Sequence, residues 1–241
     1  MLFRSFAIDY QKRHNTEHYE FKPEKLGPEI NTDELEYFPT LTIDGKTMIF
    51  SRTINNDEDF FESDCINGKW SIAKPVEGKL NTNLNEGAET ISQDGEWLIF
   101  TGCNYPEGYG SCDLYISYKT KSGAWTEPEN MGPVINTDLW ESTPTLSPDK
   151  KDLYFSSGRN GGFGGKDIWV SHKQSNGKWG KPENLGPKIN TSADETCPFI
   201  HADNQSLYFN SNGHMGYGMA DIFITKKDST NRSEEHTSEL Q

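Results

Sequence analysis

The feature that most constrains this chain is a short motif that occurs four times at nearly constant spacing. Each copy places an asparagine before a threonine, and a glutamate follows five residues after the asparagine. The four pairs are Asn31 and Glu36, Asn81 and Glu86, Asn136 and Glu141, and Asn190 and Glu195. The asparagines lie 50, 55 and 54 residues apart, and a period of this size indicates tandem copies of one supersecondary unit. It also disfavours an enzyme, because catalytic groups are usually unique rather than copied four times.

The third copy predicts four short strands separated by turns. Residues 141–147 alternate weakly around Pro144, which suits a strand with one unpaired position. Residues 152–156 are aromatic and apolar, as expected of a buried strand, and residues 158–165 form a glycine-rich loop. Residues 167–171 form the third predicted strand, residues 175–178 a hairpin turn, and Trp179 opens the fourth strand.

The other copies repeat this order of elements. Third strands are predicted to open at Asp59, Asp113, Asp167 and Asp221, each 54 residues after the last, and fourth strands at Trp70, Trp125 and Trp179. Four antiparallel strands per repeat, with no helical period, predict an all-β fold, a β-propeller with one four-stranded blade per repeat. A β-helix needs a much shorter repeat, and an immunoglobulin-like array needs about 100 residues per domain.

The repeat boundaries divide the chain into three parts. Residues 1–18 precede the repeats, residues 19–230 form the propeller, and the four repeats cover approximately 28–78, 79–132, 133–186 and 187–230. The register places a glycine at 231 and a tryptophan at 233, where the chain has Asn231 and Ser233. Residues 232–241 resemble the translation of a sequencing adapter, so residues 231–241 are interpreted as a non-native tail. A natural acidic tail is the alternative.

The same register predicts that the fourth repeat lacks its outer strand. At the other end of the chain, residues 18–24 align with the fourth strand of the third repeat. Either the chain is an open fragment of a larger ring, of about six blades, or four blades close on themselves through this N-terminal strand. We favour the fragment, which leaves apolar blade faces and a strand edge exposed.

The composition excludes several classes of partner. The chain has 37 acidic and 23 basic residues and a formal net charge of −14, whereas nucleic acids and anionic membranes are bound by basic surfaces. No run approaches 18 apolar residues, so we expect no direct membrane span. Residues 1–9 lack the long apolar stretch of a signal peptide, so we expect no export signal in the chain as given.

The combined pattern resembles the WD40-like, or PD40, propeller repeat, which is related to the TolB propeller. That pattern runs from Asn-Leu-Gly through Ile-Asn-Thr, Asp-Gly and Leu-Tyr-Phe-Ser-Ser to Asp-Ile-Tyr, and the third and fourth copies carry nearly all of it. The second copy has Glu89 where the others have proline, and the first lacks the glycine loop. The resemblance covers about residues 19–230. It implies a cell-envelope protein of the OmpA-associated kind, in the periplasm or at the outer membrane.

Two classes of function follow from this resemblance. The first is a non-catalytic scaffold or binding module whose loop face contacts a protein or glycan partner. The second is the propeller domain of a hydrolase, either a prolyl-oligopeptidase-like peptidase or a glycosidase, whose catalytic part lies elsewhere; fold alone does not decide between them. The chain has no Gly-x-Ser-x-Gly motif and no cysteine and histidine spacing typical of zinc. We therefore expect no catalytic residue, cofactor or metal.

The repeated polar residues are predicted to share one face of the propeller. Four glutamates near a central channel could bind a cation or a basic peptide. Because every copy carries the Asn, Glu and opening Asp, we instead favour a structural role, in which they satisfy backbone groups in tight turns. Cys103 and Cys112 end one hairpin and are candidates for a disulfide in an oxidising compartment. Cys65 and Cys197 are interpreted as single thiols.

Overall fold

The computed structural model describes residues 24–227 and the backbone of residues 238 and 239. Within this part every regular element is a strand, and the strands form four antiparallel sheets arranged as propeller blades, so the predicted fold class is confirmed. Blade 1 contains β1 (Leu35–Leu41), β2 (Thr47–Ile54), β3 (Asp57–Ile66), β4 (Lys69–Trp70) and β5 (Lys74–Pro75). Blade 2 contains β6 (Asn85–Ile91), β7 (Trp97–Cys103), β8 (Cys112–Tyr118) and β9 (Glu129–Asn130).

Blades 3 and 4 follow the same order. Blade 3 contains β10 (Glu141–Leu146), β11 (Asp152–Ser157), β12 (Asp167–His172) and β13 (Glu183–Asn184). Blade 4 contains β14 (Glu195–Ile200), β15 (Ser206–Ser211), β16 (Asp221–Lys226) and β17 (Ser238–Glu239). None of the described residues belongs to a helix of the length and apolarity needed to cross a membrane.

A short polar sequence builds the turn between the first two strands of each blade. Asp44 Oδ1 accepts hydrogen bonds from Thr42 Oγ1 at 2.8 Å and from Lys46 N at 3.1 Å. Asp94 and Asp149 accept equivalent bonds in blades 2 and 3. A turn of constant length fixes the strand register, so equivalent side chains face the same neighbour in every blade.

The fourth strands start later than the sequence predicts. Trp125 and Trp179 each form one isolated bridge with the third strand, and the regular pairing begins four residues later, at β9 and β13. Pro128 and Pro182 lie between, and proline has no N–H to contribute to a ladder. In blade 1, Trp70 does belong to a short strand, β4, and a second short strand, β5, also pairs with β3.

The prediction that blade 4 lacks an outer strand is wrong. Strand β17, inside the segment interpreted as a non-native tail, pairs with Phe223 and Ile224 of β16. An open strand edge presents N–H and C=O groups to any extended segment, so this pairing does not require the sequence of the repeat. The non-native origin of residues 231–241 stays a prediction. The N-terminal segment 18–21, predicted as a fourth strand, lies outside the described residues.

The apolar core lies between neighbouring blades rather than inside any one of them. Ile49 and Phe60 of blade 1 pack against Leu98, Phe100 and Trp125 of blade 2. Equivalent clusters lie between blades 2 and 3 and between blades 3 and 4. Among the described residues, no strand of blade 4 contacts a strand of blade 1. Each interior interface is therefore a sandwich of two sheets, whereas one face of blade 1 and one face of blade 4 end the array.

Candidate functional site

The repeated asparagines join each blade to the blade before it. Asn136 Oδ1 accepts a hydrogen bond from Leu114 N at 2.8 Å, and its Nδ2 donates to Leu114 O at 3.0 Å. The equivalent pairs are Asn190 with Ile168 and Asn81 with Phe60. One side-chain amide thus satisfies both main-chain groups of one strand residue on the neighbouring blade. We call this arrangement the interblade clamp.

The two ends of the array each carry one half of an interblade clamp. Asn31, in blade 1, donates to Leu26 O at 2.7 Å rather than to a strand of another blade. Ile222, in blade 4, occupies the position of Leu114 and Ile168, and no asparagine among the described residues holds it. The structure therefore brings three of the four predicted asparagines into equivalent positions, and leaves Asn31 in a different one.

The repeated glutamates hold the turn that follows each asparagine. Glu141 is fully buried, and its carboxylate accepts hydrogen bonds from Thr137 N at 2.7 Å and Thr137 Oγ1 at 2.8 Å. Glu36, Glu86 and Glu195 make the same two contacts with Thr32, Thr82 and Thr191. None of the four lines the cavity at the propeller centre. This geometry is that of a structural carboxylate within a tight turn.

A third partner of these glutamates escaped the sequence analysis. A long side chain after the second strand folds over the aromatic residues of each blade and reaches the turn. These side chains are Arg52, Tyr105, Arg159 and His214. Arg52 Nε lies 2.9 Å from Glu36, Tyr105 OH lies 2.5 Å from Glu86, and Arg159 Nη2 lies 3.3 Å from Glu141. Their spacing varies by one residue between blades, so a strictly periodic alignment does not align them.

The opening aspartates of blades 2 and 3 fix the glycine loop between the second and third strands. Asp113 accepts hydrogen bonds from Tyr109 N at 2.5 Å, from Gly110 N at 3.1 Å and from Asn130 Nδ2 at 3.0 Å. Asp167 makes the same three contacts in blade 3, and Asp221 holds Gly218 N at 2.9 Å in blade 4.

Glycine is required at one position of this loop because the next blade lies against it. A Cβ added at Gly110 would lie 2.0 Å from Leu139 O, and one added at Gly164 would lie 1.8 Å from Ala193 O. Both carbonyls belong to the Asn-Thr turn of the following blade. The glycine loops and these turns therefore share one face of the propeller, which we call the loop face.

Asp59 is the exception among the four aspartates. Blade 1 has a short turn at residues 55–56 instead of a glycine loop, and Val76 stands where blades 2 and 3 have Asn130 and Asn184. Within the described residues, Asp59 Oδ1 is buried without a hydrogen-bond partner. Burial, together with the nearby Asp57 carboxylate, raises the pKa of Asp59. The same repeat position is thus a loop anchor in blades 2 and 3, and a destabilised carboxyl in blade 1.

The four innermost strands share a bulge at the centre of the propeller. Their bulge residues have positive φ values of 50°, 49°, 51° and 52°; they are Phe38, Ala88, Thr143 and Cys197. Such conformations are strained for residues other than glycine. The bulges and the residues that follow them surround a cavity of about 140 Å³. Among the described residues that line it, Glu89 supplies the one carboxyl group.

Glu89 occupies the position that is proline in the other three blades. Only 6% of the residue is exposed, and its Oε2 accepts a hydrogen bond from Ser51 Oγ at 2.8 Å. Its Oε1 has no partner among the described residues. Burial raises the pKa of Glu89 to about 8, and the neighbouring Glu58 carboxylate adds to that rise. Glu89 is therefore mainly protonated at neutral pH, and its carboxyl is sealed from solvent.

The tips of the glycine loops carry a row of aromatic side chains. Tyr109, Phe163 and Tyr217 are 54 residues apart and occupy the same position in blades 2, 3 and 4. They are 48%, 49% and 39% exposed, respectively. The aspartates described above hold the backbone beneath this row, so the rings project from an ordered loop. The sequence contains this signal as a periodic aromatic inside a glycine-rich segment.

The predicted cysteine pair is bonded in the structure. Cys103 and Cys112 lie opposite each other at the end of the β7–β8 hairpin and form a disulfide. Cys65 and Cys197 are free thiols. Across residues 24–227, no three histidine, cysteine, aspartate or glutamate side chains are grouped so that they could hold a metal ion.

Solved structures with a similar fold belong to proteins of different functions. TolB from Agrobacterium tumefaciens is 18% identical, with a TM-score of 0.57 over 87% of this chain and 63% of that protein. TolB from Acinetobacter baumannii is also 18% identical, with a TM-score of 0.55 over 82% of this chain and 42% of that protein. A thermostable family-43 glycoside hydrolase is 14% identical, with a TM-score of 0.57 over 86% of this chain and 77% of that protein.

These similarities show a shared propeller fold, and identities this low do not carry an activity from one protein to another. The chain spans less than two thirds of the length of either TolB structure. No protein-family model matches the sequence, and no curated protein matches it.

Proposed function

We propose that this chain is a non-catalytic β-propeller scaffold and binding module of a bacterial cell-envelope protein. Its loop face contacts a protein or glycan partner. The envelope location, in the periplasm or at the outer membrane, rests on the resemblance to the PD40 repeat and on the fold shared with the TolB structures.

The observation that carries this proposal is the state of the repeated carboxylates. Each glutamate of the repeat is occupied by backbone and hydroxyl groups of its own turn, and the aspartates of blades 2 and 3 are occupied by loop N–H groups. A glycosidase needs two carboxyl groups that face a substrate across a gap of roughly 5–10 Å. The central cavity offers one carboxyl among the described residues, that of Glu89, and it is turned away from solvent.

The aromatic row gives the loop face the chemistry of a recognition surface. Exposed aromatic rings bury a large area on binding at low cost in conformational entropy, and they are enriched at binding sites. Here they stand on loops held by buried aspartates, so little backbone ordering is needed when a partner binds.

Binding to purified bacterial glycans tests this function. We expect the chain to bind at least one member of a panel containing peptidoglycan sacculi, lipopolysaccharide and purified envelope proteins. A variant in which Tyr109, Phe163 and Tyr217 are all changed to serine should lose most of that binding. A matched control changes Ile66 and Ile72, which are exposed on the third strand and outer segment of blade 1, to serine and should bind normally.

A hydrolase screen supplies the opposing result. Turnover of chromogenic glycosides or of peptide substrates that the Glu89→Gln change abolishes would show a catalytic propeller, and would overturn the binding function. Binding that survives the triple serine change would place the interaction elsewhere on the molecule and refute the proposed surface.

A further inference from the structure

We infer that the two end faces of this four-blade array are complementary, and that blade 4 of one copy docks on blade 1 of a second copy, head to tail. The argument rests on continuity with the interfaces between the blades of a single chain. Each interior interface uses the same three devices: an interblade clamp, a glycine of the loop against a neighbouring carbonyl, and a pair of apolar strand faces.

The exposed face of blade 4 presents its half of each device. Ile222 is 54% exposed, whereas its equivalent Ile168 is fully buried against blade 4 and held by Asn190. Gly218 is the equivalent of Gly110 and Gly164, and no carbonyl of a following blade lies against it. Phe199 adds a ring that is 56% exposed, on the inner strand of the same blade. We call this surface the trailing face.

The exposed face of blade 1 presents the other half. Leu41 is 48% exposed, whereas its equivalents Ile91, Leu146 and Ile200 are each less than a tenth exposed because they pack against the preceding blade. Leu35, at the start of the same strand, is 69% exposed. Asn31 stands where Asn81, Asn136 and Asn190 stand in the later blades. We call this surface the leading face.

The two faces fit each other in the way that neighbouring blades already fit. Moving the blade 3 to blade 4 relationship onward by one blade sets the Asn31 amide against the main chain of Ile222 and sets Leu41 against the trailing apolar face. Such a contact joins two different surfaces, so it is heterologous and links copies in a chain or closes them into a ring. Because each copy carries a net charge of −14, association should strengthen as salt screens the repulsion.

Sedimentation velocity over a range of concentrations, at low and at physiological salt, tests the inference on the full chain. The wild-type chain should associate reversibly. Ile222→Asp and Leu41→Asp should each weaken self-association at least about tenfold, because a charge then faces an apolar surface. Phe163→Asp is the matched control, since Phe163 is an exposed apolar residue of blade 3, which has a neighbour on both sides. Circular dichroism confirms that each variant is folded.

Mixing the two variants tests the head-to-tail arrangement directly. The Ile222→Asp copy keeps its leading face and the Leu41→Asp copy keeps its trailing face, so an equimolar mixture should form dimers that do not extend further. Association that each single variant loses and the mixture recovers only as dimers supports the inference. A wild-type chain that stays monomeric, association that only Phe163→Asp weakens, or a mixture that remains monomeric would each overturn it.

Discussion

The interface between blades 1 and 2 and the interface between blades 2 and 3 are built on one plan and differ in their buried charges. Both bury an aliphatic and aromatic cluster, and both are joined by an interblade clamp. At the inner strand, however, the first interface encloses Glu89, whereas the second has Pro144. At the third strand, Asp59 is unsatisfied on one atom, whereas Asp113 accepts three hydrogen bonds.

This difference shows what a repeat fold tolerates. The blade-to-blade packing of apolar side chains supplies enough free energy to hold a buried carboxyl that has no full set of partners. The cost appears as a raised pKa in Asp59, in Glu86 and in Glu89, all of which burial shifts upward. The first interface is therefore expected to be sensitive to pH, and the second much less so.

The largest effect should come from breaking this difference at Glu89. Its pKa in the folded chain, about 8, lies above its ordinary value of 4.5. The folded chain thus holds the proton more tightly than the unfolded chain, so the associated stability is fully present below pH 4.5 and is lost as pH rises through 8. The loss should approach about 1.4 kcal/mol per pH unit within this window.

Replacing Glu89 should remove this slope. Glu89→Pro introduces the residue of the other blades, and Glu89→Gln keeps the shape of the side chain. Urea unfolding between pH 5 and pH 9 should show a flatter dependence for both variants, with a smaller slope remaining from Asp59 and Glu86. Glu107→Gln, at an exposed loop position, is the control. If the variants keep the slope of the wild-type chain, Glu89 does not titrate as described.

The interblade clamps provide the next largest test. Asn136→Ala removes three hydrogen bonds, to Leu114 N, Leu114 O and Asn130, and leaves main-chain groups buried without partners, which should cost about 3 kcal/mol. Asn81→Ala removes the two bonds to Phe60 and should cost about 2 kcal/mol.

The same change at the start of the array is the natural control. Asn31→Ala removes one exposed bond to Leu26 and should cost less than about 1 kcal/mol in the monomer. Denaturant unfolding at one protein concentration ranks the three variants. Equal losses at positions 31, 81 and 136 would contradict the clamp as the source of the effect.

The smallest effect, and the one that changes sign, concerns the aspartates that open the third strands. Asp113→Asn places an amide among loop N–H donors and should cost about 2 kcal/mol. Asp59→Asn removes a carboxyl that is desolvated and has few partners, so it should be neutral or stabilise the chain by up to about 1 kcal/mol near pH 7. Thermal unfolding of both variants at pH 7 gives the comparison. Destabilisation of equal size at both positions would show that Asp59 has a partner in solution.

Much of the fold could be predicted from local pattern. Strand order, turn positions and the blade architecture follow from a period of about 54 residues, because each blade is built from contacts between residues close in sequence. The later start of the fourth strands could not be read from Trp125 and Trp179, since the pairing depends on where the chain can next offer an N–H to the edge after a proline. The pairing of β17 could not be foreseen either, because main-chain pairing at an open edge does not depend on a repeat sequence.

For the candidate site, the repeat identified the residues but not what each one touches. That Asn, Glu and Asp recur in every copy is a property of the sequence alone, and it suffices to predict four similar blades. Whether an asparagine clamps a neighbouring strand or donates to a nearby loop, as Asn31 does, depends on whether a blade precedes it. Whether a carboxyl is an anchor or a strained group, as Asp113 and Asp59 are, depends on which loop surrounds it. The chain determined its blades through local periodicity, while only the tertiary structure decided these roles, because hydrogen bonding and desolvation are set by the neighbouring blade.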